Sequence, residues 1–221
     1  MKIIYVDEAL IVINKPSGLL TIRDGYNPDL PTVKSLLEKE FGRCWIVHRL
    51  DKETSGVLVI ARNESVHRSL NLDFQNRIIK KTYHALVFGV PSQSQYSIDL
   101  PLRINGDRKH RTVVDEINGK SAQSDVSLLR TNNSISLVEI KPGTGYTHQI
   151  RAHLSAAGFP LIGDKLYGQR SNPSFDLYAS KINRTALHAF QIEFHHPITK
   201  KACVFLAEYP PDFITVLELI Q

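Results

Sequence analysis

With 221 residues, 42% hydrophobic and 22% charged, the chain has the balance of a soluble globular protein and the length to build its own core without staples. Cys44 and Cys203 are its only cysteines, far apart and without metal-ligand spacing, so neither a disulfide framework nor a zinc site is expected. The formal net charge of +5 permits phosphate binding without demanding it, and the lack of a signal-peptide core or of a run of roughly 20 apolar residues points to the cytoplasm.

Ile3 to Val6 and Ala9 to Ile13 read as two strands of a hairpin that turns at Asp7 and Glu8. Lys15-Pro16-Ser17-Gly18 ends the second strand, because proline cannot donate to a ladder and glycine permits the reversal. Val33, Leu36, Leu37 and Phe41 recur at helical spacing between Thr32, a cap, and Gly42, a stop. Cys44 to Leu50 reads as a strand entering a loop at Asp51 to Gly56, and Val57 to Ala61 leaves it as a central apolar strand. Asn63 caps a helix running to about Gln75, and Ile78 to Val90 is a long strand ended by Pro91.

Gln95 to Glu116 is a turn-rich, basic insertion holding Arg108, Lys109 and Arg111. Ala122 to Leu129 and Ile135 to Ile140 form an antiparallel pair, and Thr147 caps a helix with Ile150, Leu154 and Ala157 on one face. Ser171 to Ser180 is an irregular loop, Ala186 to Phe194 and Ala202 to Ala207 complete the strands, and Phe213 to Ile220 is a terminal helix. This order predicts an α+β fold, with a mixed, mostly antiparallel central sheet and flanking helices and loops, residues 1–221 forming a single domain.

One segment dominates the chemistry: His48-Arg49-Leu50-Asp51-Lys52-Glu53-Thr54-Ser55-Gly56. Arg49 and Asp51 alternate with Leu50, so they share a face while Leu50 anchors the other. Thr54 and Ser55 can donate to the loop backbone or to the carboxylate, and Gly56 allows a tight return. An Asp on a short loop between buried strands suits catalysis. The same spacing also fits a plain hairpin turn with an Asx-type hydrogen bond and a solvated arginine.

The segment, with Thr54-Ser55-Gly56, resembles the signature of RluA-type pseudouridine synthases. Lys15-Pro16-Ser17-Gly18 is similar to the family's N-terminal motif, and Lys81-Thr82-Tyr83 with Ala85 to the motif carrying its active-site tyrosine. Thr147-His148-Gln149-Ile150-Arg151-Ala152-His153-Leu154 resembles its third motif, continued in Gly158 to Asp164 and Tyr167-Gly168. His188-Ala189 and His196-Pro197 also have counterparts there. The matches stand in family order over nearly the whole chain.

That resemblance implies a pseudouridine-synthase-like catalytic domain that isomerises uridine in structured RNA, transfer RNA or ribosomal RNA or both. The N1 to C1′ bond breaks, the uracil turns over and rejoins through C5, and the C5 proton is lost. No group is imported and nothing is oxidised, so no cofactor and no metal are expected. Asp51 is implied as the essential carboxylate, either a nucleophile that attacks the ribose or the uracil or a base that removes a ribose proton. Arg151 is implied as its ion-pair partner, and Tyr83 as the ring that stacks on the uracil and takes the C5 proton. Arg49 is implied to enter the space left by the flipped base, whose extrusion costs a few kcal/mol.

His48, Thr54, Lys81 and His148 lie in the same motifs and are implied to face RNA. Arg108, Lys109 and Arg111 form the best basic cluster for phosphates, beside Arg77, Lys80, Arg103, Lys165 and Arg170. Two features depart from the family pattern. Tyr146 stands where relatives carry an arginine, keeping a stacking face and losing the charge. The catalytic motifs begin within the first twenty residues, leaving no room for the S4-type RNA-binding domain of many relatives. The expected partner is structured RNA, with no DNA and no membrane, and the expected state is a monomer. The competing reading is a non-catalytic RNA-binding module that keeps the fold.

Overall fold

Two continuous apolar runs, Leu10 to Ile13 and Val57 to Ala61, become strands with almost no exposed surface, as continuous rather than alternating hydrophobicity in a central strand leads one to expect. The computed structural model describes residues 1–25, 29–168 and 177–220. Arg170 and residues 171–176 of the loop expected at 171–180 lie outside them. The chain divides into two compact units, Met1–Lys81 with Ala189–Tyr209, and Thr82–His188 with Pro210–Gln221.

In the first unit, β1 (Lys2–Val6) and β2 (Leu10–Lys15) form the expected antiparallel hairpin. Asp7 shapes its turn by accepting the N–H groups of Ala9 (2.8 Å) and Leu10 (2.7 Å). Helix α1 (Val33–Phe41) starts at a capping box in which Thr32 and Ser35 bond reciprocally, and ends at Gly42. β3 (Trp45–Ile46) and β4 (Ser55–Ala61) pair antiparallel, and β4 also pairs with β2. Helix α2 (Glu64–Gln75) is capped by Asn63, whose side chain accepts the N–H of Val66.

β3 is much shorter than the strand expected over Cys44 to Leu50. The physical reason is a side chain: the next backbone donor along β4, the N–H of Val59, goes to Nε2 of His48 at 3.0 Å. Leu50 then pairs through both its N–H and its carbonyl with the Thr21 hydroxyl, so the ladder stops and the loop begins. The unit is completed by β11 (Leu187–His195), which adjoins β4, and by β12 (Ala202–Leu206), antiparallel to β11.

In the second unit, β5 (Lys80–Phe88), β10 (Ile135–Pro142), β9 (Gln123–Thr131) and β6 (Gln95–Asp99) follow in that spatial order, each pair antiparallel. β6 lies inside the stretch expected to be irregular: Tyr96 and Ile98 face the core while their neighbours stay polar. The rest of that insertion carries a small separate pair, β7 (Leu102–Arg103) with β8 (Val113–Val114). Helix α3 (Gln149–Ala156) packs Ile150 and Leu154 into a core with Val87, Val126, Ile140 and Leu161. Helix α4 (Pro211–Leu217) is fastened through a double bond of buried Arg184 to Asp212, at 2.6 and 3.0 Å.

The fold is therefore α+β, with a mixed, mostly antiparallel sheet and few helices. No helix among the described residues is long and apolar enough to cross a membrane.

Gly56 has a φ of +117°, and a Cβ placed on it would sit 2.2 Å from the carbonyl oxygen of Ala189. Gly56→Ala should therefore force β4 and β11 apart and cost about 3 kcal/mol or more in urea denaturation. A loss below about 1 kcal/mol would show that the backbones do not meet this closely.

Candidate active site

Asp51 stands in the stretch between β3 and β4, five residues beyond the end of β3. Leu50 is buried and holds the exit, Arg49 is exposed, and Asp51 is half-buried, the alternation expected of neighbours on an extended segment. The loop closes on itself through the N–H of Thr54 donating to the carbonyl of Asp51 at 3.1 Å.

A second segment clamps this loop from outside. The ammonium of Lys15, a side chain with no exposed surface, donates to the carbonyls of Pro16 (2.9 Å), Leu19 (2.8 Å) and Lys52 (3.2 Å). The Ser17 hydroxyl donates to the carbonyl of Glu53 at 2.8 Å, and the Gly18 N–H to that of Lys52 at 2.8 Å. With Thr21 on Leu50, the backbone around Asp51 is held on both sides by one stretch of chain, Lys15 to Thr21. The Lys-Pro-Ser-Gly motif thus acts on the loop directly, by fixing the carbonyls that flank the carboxylate.

His48 is tied into the same unit. Burial, then the charge of Lys81, pushes its imidazole down to about 3, so it is neutral at physiological pH. Its Nε2 accepts from Val59, which places the proton on Nδ1, and its ring lies 4.8 Å from that of Phe74. Burial also draws the Lys81 ammonium below its ordinary value. Thr54 is buried.

In the second unit Tyr83 lies on β5 opposite Ile140 of β10. It is half-buried, packed against the core around Ile98 and Val126.

Helix α3 carries Arg151, and its start differs from expectation. The N-cap is His148, in the left-handed region at φ 55°, with no side-chain cap bond; Thr147 does not cap. Gln149 organises the turn instead. Its Oε1 accepts from the Thr144 hydroxyl (2.7 Å) and the Tyr146 N–H (3.1 Å), and its Nε2 donates to the Gln123 carbonyl (2.9 Å). One turn on, wholly buried His153 bonds the Ser124 hydroxyl and the Leu100 carbonyl. These bonds dock the helix on β9.

Arg151 is 7% exposed, not a surface residue. Its Nε donates to Oδ2 of Asp164 at 2.7 Å and its Nη2 to Oδ1 at 2.9 Å, a planar fork. Asp164 Oδ1 also accepts the N–H groups of Leu166 (2.9 Å) and Tyr167 (3.0 Å). Burial pushes the Asp164 carboxyl upward, but the bonds and charge of Arg151, with those backbone donors, outweigh it and hold it below its usual value. Sequence reasoning misses Asp164 as a partner of Arg151. The available signal is the carboxylate two and three residues before Leu166 and Tyr167, the spacing of an Asx turn.

The basic bend is built on Asp107. Its Oδ1 accepts the N–H groups of Lys109 and Arg111, both at 3.0 Å, and its Oδ2 takes Nε of Arg111 at 2.6 Å. Arg108 and Lys109 are exposed. Arg111 is half-buried and also reaches the Leu166 carbonyl at 3.3 Å. Tyr146, the residue in place of the usual arginine, packs against Leu102, Ala122, Ala152 and Tyr167. His148 stands 3.2 Å from the Tyr167 hydroxyl. The Tyr167 ring thereby gathers Arg111, His148 and Arg151. The other expected site residues of this unit stand on β5, in the case of Tyr83, and on the exposed bend, in the case of Arg108 and Lys109.

Comparison with known proteins accords with this arrangement. Residues 9–156 match the family described as RNA pseudouridylate synthase. The dual-specificity RNA pseudouridine synthase RluA of Haemophilus influenzae is 34% identical, over 94% of this chain and 93% of that protein. The ribosomal large subunit pseudouridine synthase D of Zymomonas mobilis is 36% identical, over 100% of this chain and 73% of that one. Among solved structures, human RNA pseudouridylate synthase domain containing 4 superposes with a TM-score of 0.81 at 27% identity, covering 98% of this chain and 92% of that one. With its ordered motifs and these relatives, the chain belongs to the RNA pseudouridylate synthase family, in its RluA-type branch.

Proposed function

We propose that this RNA pseudouridine synthase works as one catalytic domain in which Asp51 is the reacting carboxylate, Arg151 its supporting charge and Tyr83 the ring that meets the uracil. The observation that carries the reading is the clamp on the Asp51 loop: the hydrogen bonds that join Lys15, Ser17, Gly18 and Thr21 to the backbone of residues 16, 19, 50, 52 and 53. Backbone fixed this densely suits a group that must meet one atom of a flipped nucleotide. For Arg151 the support is its fork on Asp164. A guanidinium has five N–H donors in a rigid plane, so orienting it through one carboxylate also aims it for a second.

RNA is the partner of the family. We further assign transfer RNA, ribosomal RNA or both as the target, the ribosomal part in line with the relative named for the ribosomal large subunit, and a cytoplasmic monomer as the working form. DNA does not suit the chemistry, because thymine carries a methyl group at C5, where the new glycosidic bond forms. Exposed Arg108 and Lys109 on the braced bend would track phosphates, and Arg49 would fill the space of the extruded base. His48, Thr54, Lys81, Tyr146 and His148 would support RNA around these contacts, although the bonds of His48 and the packing of Tyr146 also give both a structural role.

The test uses RNA labelled with tritium at uridine C5, presented separately as transfer RNA and as ribosomal RNA. The wild-type protein should release tritium from at least one of them. Asp51→Asn should lower release by about 10³-fold or more while binding RNA normally. Equal release by the two proteins would remove Asp51 from the chemistry. On the docking side, Lys109→Ala should weaken RNA binding and reduce the salt slope of log K by about one, with turnover at saturation nearly unchanged. A slope identical to wild type would take Lys109 out of the phosphate contacts.

A further inference from the structure

We infer that Tyr167 is a positioning residue of the reaction, holding the plane of the Arg151 guanidinium and joining it to the basic bend that ends at Thr112. The inference rests on the role given to Arg151 above.

Tyr167 meets Arg151 in two ways. Its ring lies under the guanidinium, with Cζ of Arg151 5.0 Å from the ring centroid. Its own N–H shares Oδ1 of Asp164 with Nη2 of Arg151. The fork to Asp164 fixes the guanidinium within its plane. A ring face below it opposes tilting out of that plane, because the negative face of the aromatic quadrupole attracts the cation.

The ring is itself held at its far end. The Tyr167 hydroxyl accepts the N–H of Thr112 at 2.7 Å, and Thr112 donates its own hydroxyl to the Thr147 carbonyl at 2.6 Å. His148, the N-cap of α3, meets the ring edge-on at 88° with centroids 5.7 Å apart. Arg111, next to Thr112, places its Cζ 6.0 Å from the same ring and bonds the carbonyl of Leu166 beside it. One tyrosine thus touches the charge on α3, the cap of that helix and the root of the bend that carries Arg108 and Lys109.

A tyrosine filling a core would need none of this polar geometry around its ring. Tyr167 is 8% exposed, so its loss would also disturb packing. The experiment must therefore separate a positioning role from a structural one.

It is a double-mutant cycle on the full chain, read as single-turnover tritium release from saturating C5-labelled RNA and corrected for the folded fraction by thermal melting. Arg151→Met alone should slow release about 10² to 10³-fold. Tyr167→Leu should slow it about 10 to 100-fold with RNA Kd within about threefold of wild type. Tyr167→Phe keeps the ring and should recover release to within about fivefold of wild type. In the Arg151→Met background, Tyr167→Leu should cost nothing more, because both act through one group. A wild-type rate per folded molecule in Tyr167→Leu would overturn the inference, as would multiplication of the two single effects in the double variant. If Arg151→Met itself keeps the wild-type rate, the role of Arg151 fails first, and Tyr167 has nothing to position.

Discussion

A lysine ammonium with no exposed surface is the constraint from which the Asp51 loop takes its shape. Removing such a charge from water costs several kcal/mol unless its donors are satisfied. Lys15 meets that demand with main-chain carbonyls, those of Pro16, Leu19 and Lys52. Two of these belong to the turn that follows β2 and one to the loop that carries the carboxylate. The ammonium cannot stay buried unless both segments keep their conformation, so its burial couples them. Pro16 ends the strand at the point where the lysine must turn inward, and Gly18, at φ 82°, brings its N–H onto the Lys52 carbonyl.

Arg151 follows the same logic in the second unit. It is buried on α3, and its desolvation is offset by an ionised Asp164 that is itself held by backbone N–H groups. Removing one partner of a buried pair leaves the other charge uncompensated, typically a loss of about 3–5 kcal/mol. Gln149 and His153 fix the helix, Asp164 fixes the guanidinium in its plane, and Tyr167 lies beneath it. The side chains that meet solvent, Arg108 and Lys109, stand on a bend braced by Asp107. Rigidly held buried charge and exposed positive charge are thus divided between neighbouring segments.

Much of this is legible in the sequence wherever a local rule decides the outcome. The β1–β2 hairpin, the Thr32 and Asn63 caps and the β9–β10 pair follow from turn residues, capping side chains and continuous apolar runs. Two of the departures come from side chains that take over backbone groups the local pattern assigns elsewhere. His48 takes the Val59 donor and cuts β3 short. Gln149 displaces Thr147 in organising the start of α3. Asp164 lies thirteen residues from Arg151 along the chain, and no periodicity links them. The roles of Asp51, Tyr83 and Arg151 come from resemblance to a family, because a half-buried aspartate on a turn has no chemical signature of its own.

If Asp51 is the reacting carboxylate proposed above, its reactivity depends on a loop built in advance around the Lys15 ammonium. Lys15→Met tests this most directly, since it keeps most of the side-chain volume and removes the donors. In the folded protein, checked by melting, single-turnover isomerisation should fall about 100-fold while RNA Kd changes by less than about threefold. A folded Lys15→Met protein that isomerises uridine at the wild-type rate would show that Asp51 does not depend on the Lys15 ammonium.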